Sequence, residues 1–501
     1  LNCHGGLHGK ISGVIVVLRA CFFECALKAV SFSRMVRTRT TMLLRRFVKL
    51  SRHLSSRANV ENFARCSRLF QPNSFTKLDA KQGLCKSQKL MLDYGLISPS
   101  GTGTFVLLPL ATKSLERLVD LIDSELQSVG GQKILLPCLV PGSLFKKTGR
   151  WEDMGDELFK LKDRRDHDYC LGPTHEEAVS QLLASLPSLS LRCLPILLYQ
   201  ISPKFRDEGR PKFGLLRGRE FIMKDMYSFD RSAESAAETY DIVCTAYSRI
   251  LERLGVPFVK VKASSGAMGG NYSHEFHFLS NIGEDRLFVC PKGHIGVSAD
   301  KVESETENQP CDQCSTPLEE ERGVEVAHAF SLGTVYSDPL KASFMDSDGK
   351  NKALVMNCFG IGVTRLLAAS LEVLSTQSQL RWPLAIAPFK VAVVTPKKGS
   401  HEEEVGLPLS LHLTRCLSSQ DILAGDVLLD DRDSWTIGKR LKDLDHMGVP
   451  FVVVAGKRSA ETMPLFELHD VYQGSVTEVT QSELLHFFQH GKFREKIGDR
   501  L

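Results

Sequence analysis

The chain has 501 residues, more than usually fold around a single hydrophobic core, so we predict two or three domains. It is 43% hydrophobic and 24% charged, as in soluble globular proteins, and no apolar run reaches the roughly 18 residues of a membrane span. A net charge of only +4 excludes a globally basic surface, so any nucleic-acid contact has to be local.

The N-terminal 70 residues lack the pattern of a folded domain. Residues 1–34 precede the first methionine, Met35, and are left as an unassigned extension. Residues 35–60 contain seven Lys or Arg and no Asp or Glu, with several serines. This composition is typical of an organellar transit peptide, which we assign to residues 35–70. A basic tail that binds nucleic acid is the alternative.

A first folded domain is predicted over residues 85–380. Apolar residues at helical spacing predict a helix near residues 115–129, which Gly130 ends. The next stretch, residues 133–140 (KILLPCLV), reads as a buried strand. Because Pro137 removes a hydrogen-bond donor from it, we expect this strand at a sheet edge or at an interface.

Two further segments of this domain have clear patterns. In residues 170–177, CLGPTHEE, Thr174 and Glu177 have the spacing of a capping box for the helix that follows. A long helix is expected at about 233–254, where Gly255 ends it.

Two strands joined by a Gly, Pro and Lys/Arg-rich loop are predicted over residues 205–229, FRDEGRPKFGLLRGREFIMKDMYSF. A solvent-exposed hairpin also tolerates such charges, and such a hairpin without a binding role is the alternative. Guanidinium groups, however, suit phosphate and carboxylate oxygens, so the stretch predicts a polyanion site. Its charged candidates are Arg206, Glu208, Arg217, Arg219, Glu220 and Asp225.

Fourteen cysteines without a regular framework predict reduced thiols in an intracellular compartment. Four residues stand apart, in the motifs CPKGH and CDQC: Cys290, His294, Cys311 and Cys314. Three thiols and one imidazole at such paired spacing satisfy a structural zinc ion. A metal-free segment is the alternative.

The C-terminal part changes its periodicity. Residues 353–370 predict a strand, a glycine turn and a helix that carries Arg365. From Val391 onward strands and helices alternate, which predicts βαβ units and a separate parallel-sheet domain over residues 388–495. One of its helices carries three basic residues, which face either RNA or solvent: Lys439, Arg440 and Lys442.

The order of these motifs resembles that of a class II aminoacyl-tRNA synthetase, in detail a prolyl-tRNA synthetase of the bacterial and mitochondrial type. The motifs are, in chain order, the proline-containing strand, CLGPTHEE, FRDEGRPKFGLLRGREFIMKD, the glycine turn and GIGVTR. The resemblance covers about residues 85–490. It implies an α+β fold, with an antiparallel-sheet catalytic domain (85–380) and a C-terminal α/β anticodon-binding domain (388–495). It also implies a homodimer that contacts through the segment of Pro137, and a place in the mitochondrial matrix.

The resemblance further implies roles for single residues. On the amino-acid side, Thr174 and Glu176 hold the substrate and Asp225 lies near its ammonium group. The proline pocket is lined by His328, Phe330 and Cys358.

On the ATP side, Arg206 and Glu208 match the positions that grip the α-phosphate and frame the adenine. Arg217 lies on the loop that approaches ATP, Phe221 stacks on adenine, and Arg365 binds the triphosphate. The catalytic residues implied are therefore Arg206, Glu208 and Arg365.

The implied reaction joins proline to its tRNA in two steps, by way of prolyl adenylate made from ATP with Mg²⁺. A threonyl- or glycyl-specific synthetase, and a non-catalytic synthetase-like subunit that binds nucleic acid, are the alternatives. A non-catalytic subunit is expected to have lost the ATP-binding motifs, whereas this chain retains all of these residues: Arg206, Glu208, Phe221 and Arg365.

The chain departs from the bacterial pattern in two ways. About 125 residues separate Asp230 from Asn357, too few to hold the bacterial editing insertion. Ala327 and Asn357 stand where relatives usually have glycine, and we expect both to add bulk near the pocket.

Overall fold

The computed structural model describes residues 61–72, 83–187, 189–301 and 310–490. The extension 1–34 and most of the expected transit peptide therefore lie outside the described residues. The chain divides into two compact units, Leu1–Glu61 and Asn62–Leu501, and the second holds every element below. Within the described ranges, no helix combines the length and the apolar character that crossing a membrane requires.

The strands of the described residues, in chain order, are β1 (Ala64–Arg65), β2 (Ile97–Gly101), β3 (Thr104–Leu107), β4 (Gln132–Lys133), β5 (Leu139–Pro141), β6 (Lys160–Lys162), β7 (Asp168–Leu171), β8 (Ile196–Phe205), β9 (Glu220–Asp230), β10 (Val259–Ala263), β11 (Tyr272–Leu279), β12 (Asp285–Val289), β13 (Gly296–Ser298), β14 (Glu319–Gly333), β15 (Ser343–Met345), β16 (Asn351–Ala353), β17 (Val355–Gly362), β18 (Val391–Val394), β19 (Val427–Asp430), β20 (Phe451–Val454), β21 (Phe466–Asp470) and β22 (Ser475–Val479).

The α-helices of the same residues are α1 (Lys86–Asp93), α2 (Pro109–Ser128), α3 (Gly142–Thr148), α4 (Arg150–Asp153), α5 (Glu176–Ala184), α6 (Ala233–Leu254), α7 (Ser337–Leu340), α8 (Val363–Leu374), α9 (Glu403–Ser418), α10 (Ile437–His446) and α11 (Gln481–Gln489).

A nine-stranded sheet forms the centre of the larger domain, in the order β11-β10-β13-β12-β14-β17-β9-β8-β4. Strands β14, β17, β9 and β8 pair antiparallel in succession, as expected for this fold class. The apolar faces of α6 and α8 pack on the sheet, and α2 packs on these two helices. Leu118, Ile250 and Leu367 are completely buried in this core. The sheet is therefore held rigidly behind the polar residues at the ends of β8, β9, β14 and β17.

The C-terminal sheet is only partly parallel, although the sequence predicted a parallel sheet. Strands β18, β19 and β20 are parallel, as the alternating pattern predicted, whereas β21 and β22 add an antiparallel pair. At the opposite edge β1 pairs with β19, and Phe63 beside it is buried in the core of this domain. Residues 62–70, which we had assigned to the transit peptide, thus belong to the fold.

The strand predicted around Pro137 is wrong in extent and in burial. Strand β4 ends at Lys133 and β5 begins only at Leu139. The side chains of Leu135 and Leu139 are 79% and 50% exposed. Pro137 lies between the two strands, where its missing N–H removes no ladder bond, and β4 does lie at the sheet edge.

The capping box at Thr174 is also wrong. Helix α5 has His175 as its N-cap, and no side chain caps it. The Thr174 hydroxyl instead donates to the carboxylate of Glu176, 2.7 Å away, and Glu177 accepts from Thr148. The long helix, by contrast, is confirmed as α6, which ends at Gly255 in the left-handed conformation that glycine favours (φ 68°).

Arg440 lies neither against RNA nor against solvent. Its guanidinium is fully buried and donates to the hydroxyl and carbonyl oxygens of Thr395 and to the carbonyl of Asp430. Lys439 and Lys442 on the same helix are exposed.

Candidate active site

The antiparallel pair β8–β9 and its connecting loop hold the ATP-side candidates. Phe205 at the end of β8 pairs with Glu220 at the start of β9, and residues 206–219 connect them. Arg206 follows β8 immediately, and its amide donates to the carbonyl of Arg219, the residue before β9, at 2.9 Å. Phe221 lies one residue into β9, and the guanidinium of Arg206 is 5.4 Å from the centroid of its ring.

Arg206 is a partly buried cation whose Nε has no hydrogen-bond partner among the described residues. This nitrogen is shielded from solvent. Burial first, and the charge of Arg365 second, lower the pKa of the Arg206 guanidinium. Two neighbouring guanidinium groups repel each other, so an anionic ligand that contacts both is favoured.

Arg365, the third residue of α8, is held by two other elements. Its Nε donates to the carbonyl of Leu216 in the β8–β9 loop at 2.9 Å. Its Nη1 lies 3.2 Å from Oε2 of Glu325 on β14. The loop, the helix and the central sheet therefore fix the position of this guanidinium together.

Glu325 belongs to a group that the sequence did not reveal. The carboxylates of Glu275 and Glu325 and the imidazole of His328 offer three ligand atoms within 4.8 Å of one another. Burial alone would raise the pKa of Glu325, but the hydrogen bond from His328 and the charges of His328 and Arg365 hold it well below its usual range. Spacing gives no sign of this group, because β11 and β14 meet only in the sheet.

His328 and Phe330 stack face to face on β14, with 3.8 Å between ring centroids. Nδ1 of His328 is 3.1 Å from Oε1 of Glu325, whereas its Nε2 is buried and has no partner among the described residues. The two predicted pocket residues thus form one rigid aromatic face.

The amino-acid-side candidates form a second, deeper group. Thr174 donates to Glu176, and Sγ of Cys358 on β17 lies 3.0 Å from Oε1 of Glu176. Nη1 of Arg150 is 3.1 Å from Oε2 of Glu176 and 3.2 Å from Oε1 of Glu177. Burial keeps the Cys358 thiol protonated by raising its pKa well above the ordinary value, and it can donate to Glu176. The structure therefore brings Thr174, Glu176 and Cys358 together around Arg150.

Asp225 is almost completely buried beside this group. Its Oδ1 lies 2.8 Å from Nζ of Lys204, and its Oδ2 accepts from Gln200 and Tyr227 at 2.9 and 2.7 Å. The hydroxyl of Tyr227 also accepts from the amide of His175 at 2.9 Å. The carboxylate thus has three protein partners, and its expected contact with an ammonium group stays a prediction.

Glu208 and Arg217 form an ion pair on the β8–β9 loop, with 2.7 Å between Oε2 and Nε. Arg217 extends farther, to Glu284 at 2.5 Å, and Lys212 contacts the same carboxylate. The hydrogen bond from Arg217 first, and more weakly the charge of nearby Arg206, lower the pKa of the Glu208 carboxyl. The loop ion pairs therefore hold Glu208 and Arg217 in place.

The side chain of Asn357, which we expected to add bulk near the pocket, is hydrogen-bonded to neighbouring elements instead. Its Nδ2 donates to the hydroxyl of Ser228 at 2.9 Å and to the carbonyl of Ala236 at 2.8 Å. The amide therefore connects β17 to β9 and α6.

The Cys and His residues of CPKGH and CDQC converge, outside the groups above. One ligand atom from each of Cys290, His294, Cys311 and Cys314 lies within 4.8 Å of the others. The cysteines of the described ranges have free thiols in the structure.

Comparisons with known proteins give the family context. Residues 159–374 match the family model described as tRNA synthetase class II core domain (G, H, P, S and T), and residues 390–490 match the model described as anticodon binding domain. The predicted fold class is thereby confirmed.

Relatives match most of the chain. A rat protein named "Probable proline--tRNA ligase, mitochondrial" is 48% identical over 429 residues, which are 84% of this chain and 89% of the relative. A human protein of the same name is 47% identical over the same shares. A "Proline--tRNA ligase" of Ehrlichia chaffeensis is 37% identical over 75% of this chain and 88% of its own.

A solved structure shares the fold. The Giardia lamblia prolyl-tRNA synthetase in complex with prolyl-adenylate superposes with a TM-score of 0.68 at 19% identity, over 83% of this chain and 80% of that one. At this level of identity the match shows the fold alone.

Proposed function

The chain belongs to the proline–tRNA ligase family of class II synthetases, and we propose that Arg206 and Arg365 carry the first step of its reaction. The observation behind this proposal is the buried, unpartnered Nε of Arg206 beside a second guanidinium. An anionic ligand compensates both charges, and the phosphates of ATP are anions of suitable size.

The reaction has two steps. A carboxylate oxygen of proline attacks the α-phosphorus of ATP, the bond from that phosphorus to the bridging oxygen of the β-phosphate breaks, and pyrophosphate leaves. A terminal hydroxyl of the tRNA then attacks the carbonyl carbon of prolyl adenylate, and AMP leaves. The first nucleophile is already ionised at neutral pH, so the step needs no general base.

Catalysis of the first step then depends on position and charge. Arg206 and Arg365 neutralise the negative charge that builds on the phosphates, and the contacts of Arg365 with Leu216 and Glu325 hold it ready. The ring of Phe221, already packed against Arg206, offers a face for the adenine. Glu208 and Arg217 close the loop over the nucleotide.

We assign the amino-acid side to Thr174, Glu176 and Cys358. Glu176 accepts from the proline ammonium group, and the stacked rings of His328 and Phe330 form an apolar wall for the pyrrolidine ring. Because Lys204 already neutralises Asp225, we propose that Asp225 acts on the substrate through Tyr227 and Gln200.

Mg²⁺ accompanies ATP in this proposal. The carboxylates of Glu275 and Glu325 supply the oxygen ligands that Mg²⁺ prefers, next to Arg365. When bound, the ion shields the phosphate charge that repels the incoming carboxylate.

The partners follow from the two domains. The C-terminal domain binds a tRNA, and we propose tRNA for proline. The exposed leucines at 135 and 139 form a surface that we propose a second copy of the chain covers, giving a homodimer. The enzyme acts in mitochondria, like the relatives that carry that name, and we propose the matrix as its compartment.

The proposal is tested by ATP–pyrophosphate exchange with each of the twenty amino acids. We expect proline to give the highest rate, with slower but measurable exchange for alanine, because one or two methylene groups are worth only about 1 to 3 kcal/mol each. Faster exchange with threonine or glycine would favour the rival synthetases. No exchange with any amino acid would favour a non-catalytic subunit.

A further inference from the structure

Two tight turns face each other at the end of the β12–β13–β14 segment of the central sheet. In the first, after β12, the amide of Gly293 donates to the carbonyl of Cys290 at 2.9 Å, with Gly293 at φ 79°. In the second, the amide of Ser315 donates to the carbonyl of Cys311 at 2.8 Å. Each turn brings two potential metal ligands to its inner side: Cys290 and His294 from the first, Cys311 and Cys314 from the second.

Three distances between these atoms match those of a tetrahedral zinc shell, and all four atoms lie within 4.8 Å of one another. Bond lengths of about 2.3 Å to sulfur and about 2.05 Å to nitrogen put two sulfurs about 3.8 Å apart, and a sulfur and a nitrogen about 3.6 Å apart. The Sγ atoms of Cys290 and Cys314 are 3.6 Å apart. Nδ1 of His294 lies 3.5 Å from Sγ of Cys290 and 3.5 Å from Sγ of Cys311.

The chemical types of the ligands limit which metal ion can bind. Thiolate and imidazole select zinc over Mg²⁺ and Ca²⁺, which prefer oxygen. A disulfide between Cys290 and Cys314 needs the sulfurs at about 2.05 Å, far closer than the 3.6 Å observed. Four protein ligands leave no open position for water or substrate, so the site is structural rather than catalytic.

We propose that Cys290, His294, Cys311 and Cys314 bind one structural zinc ion. Cys290 directly follows β12, and Cys311 and Cys314 precede β14, whose first residue Glu319 pairs with Val289 at the last position of the β12 ladder. The ion therefore closes the open end of this strand pair. Strand β14 also carries Glu325 and His328, so zinc stabilises the strand on which the candidate active site depends.

The experiment measures the metal content of the full chain, purified without chelator, by inductively coupled plasma mass spectrometry. Cys311→Ser removes one proposed ligand, and Cys193→Ser, at an exposed cysteine, is the matched control. We expect about one zinc per chain in the wild type and in Cys193→Ser, and a fall of about tenfold or more in Cys311→Ser. His294→Cys, which converts the set to four thiolates, should retain the zinc.

A second measurement does not depend on how well a variant folds. Wild-type protein loaded with Co²⁺ in place of zinc should show the visible and near-ultraviolet bands of tetrahedral thiolate coordination, and Cys193→Ser should show the same bands. Wild-type protein with substoichiometric zinc and without these cobalt bands would overturn the proposal. So would a thiol titration that finds Cys290 and Cys314 joined in a disulfide.

Discussion

Nη1 of Arg150 lies 3.1 Å from Oε2 of Glu176, and both side chains are almost completely buried. The same guanidinium neutralises Glu177, for which burial raises the pKa. Arg150→Met leaves two buried carboxylates without a cation, which costs about 3 to 5 kcal/mol of unfolding free energy. We expect this loss in urea denaturation, together with a raised KM for proline, because Glu176 loses its fixed position.

The matched control for Arg150 is Arg458→Met. Arg458 pairs with Glu461 at 3.0 Å, but both side chains are about half exposed. Such a pair contributes at most about 1 kcal/mol. Equal losses in the two variants would contradict the importance assigned to the buried pair.

The short strand β1 makes residues 62–70 part of the folded protein. Phe63 is 9% exposed and packs in the C-terminal core, whereas Phe70 is 63% exposed. Phe63→Ala should lower the unfolding free energy by about 3 kcal/mol, and Phe70→Ala should change it little. Thermal denaturation of both variants measures this, and an unchanged melting temperature for Phe63→Ala would show that the segment is dispensable.

His274 should make stability depend on pH. Burial, and then the charges of Lys260, Lys262, Lys301 and His328, lower the pKa of this imidazole to about 4. Since an unfolded histidine titrates near about 6.5, the unfolded chain binds more protons between these values, and stability is lost as the pH falls from about 6.5 to 4.

His274→Gln tests this by removing the titrating group. The variant should lose less unfolding free energy than the wild type between pH 7 and pH 5 in parallel denaturant titrations. Its hydrogen bond with Tyr240, 2.9 Å long in the wild type, is lost or weakened at both pH values and so does not affect the comparison. Identical pH slopes would contradict the assignment to His274.

The exposed lysines of α10 should contact tRNA through phosphate, and buried Arg440 should not. Lys439→Gln with Lys442→Gln should weaken tRNA binding and reduce the slope of log affinity against log salt by about 2, one for each phosphate that a lysine no longer neutralises. Arg440→Gln should instead lower the melting temperature, because it breaks the bonds to Thr395. An unchanged salt slope in the double variant would place the tRNA elsewhere.

The sequence was most informative where functional residues are close together in the chain as well as in the fold. Arg206 directly follows β8 and Phe221 lies near the start of β9, so residue type and spacing together indicated their place. The long helix α6 could be predicted to its end because Gly255 allows the left-handed conformation that stops it.

Other features depend on contacts that no local pattern records. Arg150, Lys204 and Glu325 stand in unremarkable segments, and folding alone brings them to Glu176, Asp225 and Arg365. The errors have the same origin. Thr174 has the spacing of a cap, but its hydroxyl donates a hydrogen bond to the neighbouring carboxylate of Glu176 instead. Helical spacing on α10 likewise left open which basic residue faces the core.

The most direct test of the proposed chemistry is the rate of proline-dependent ATP–pyrophosphate exchange in Arg206→Ala, compared with Arg210→Ala as an exposed arginine on the same loop. If Arg206 stabilises the charge that builds on the phosphates, its loss costs about 3 kcal/mol, or about two orders of magnitude in rate. Arg210→Ala should keep the wild-type rate. A wild-type rate in Arg206→Ala would contradict the role proposed for this arginine.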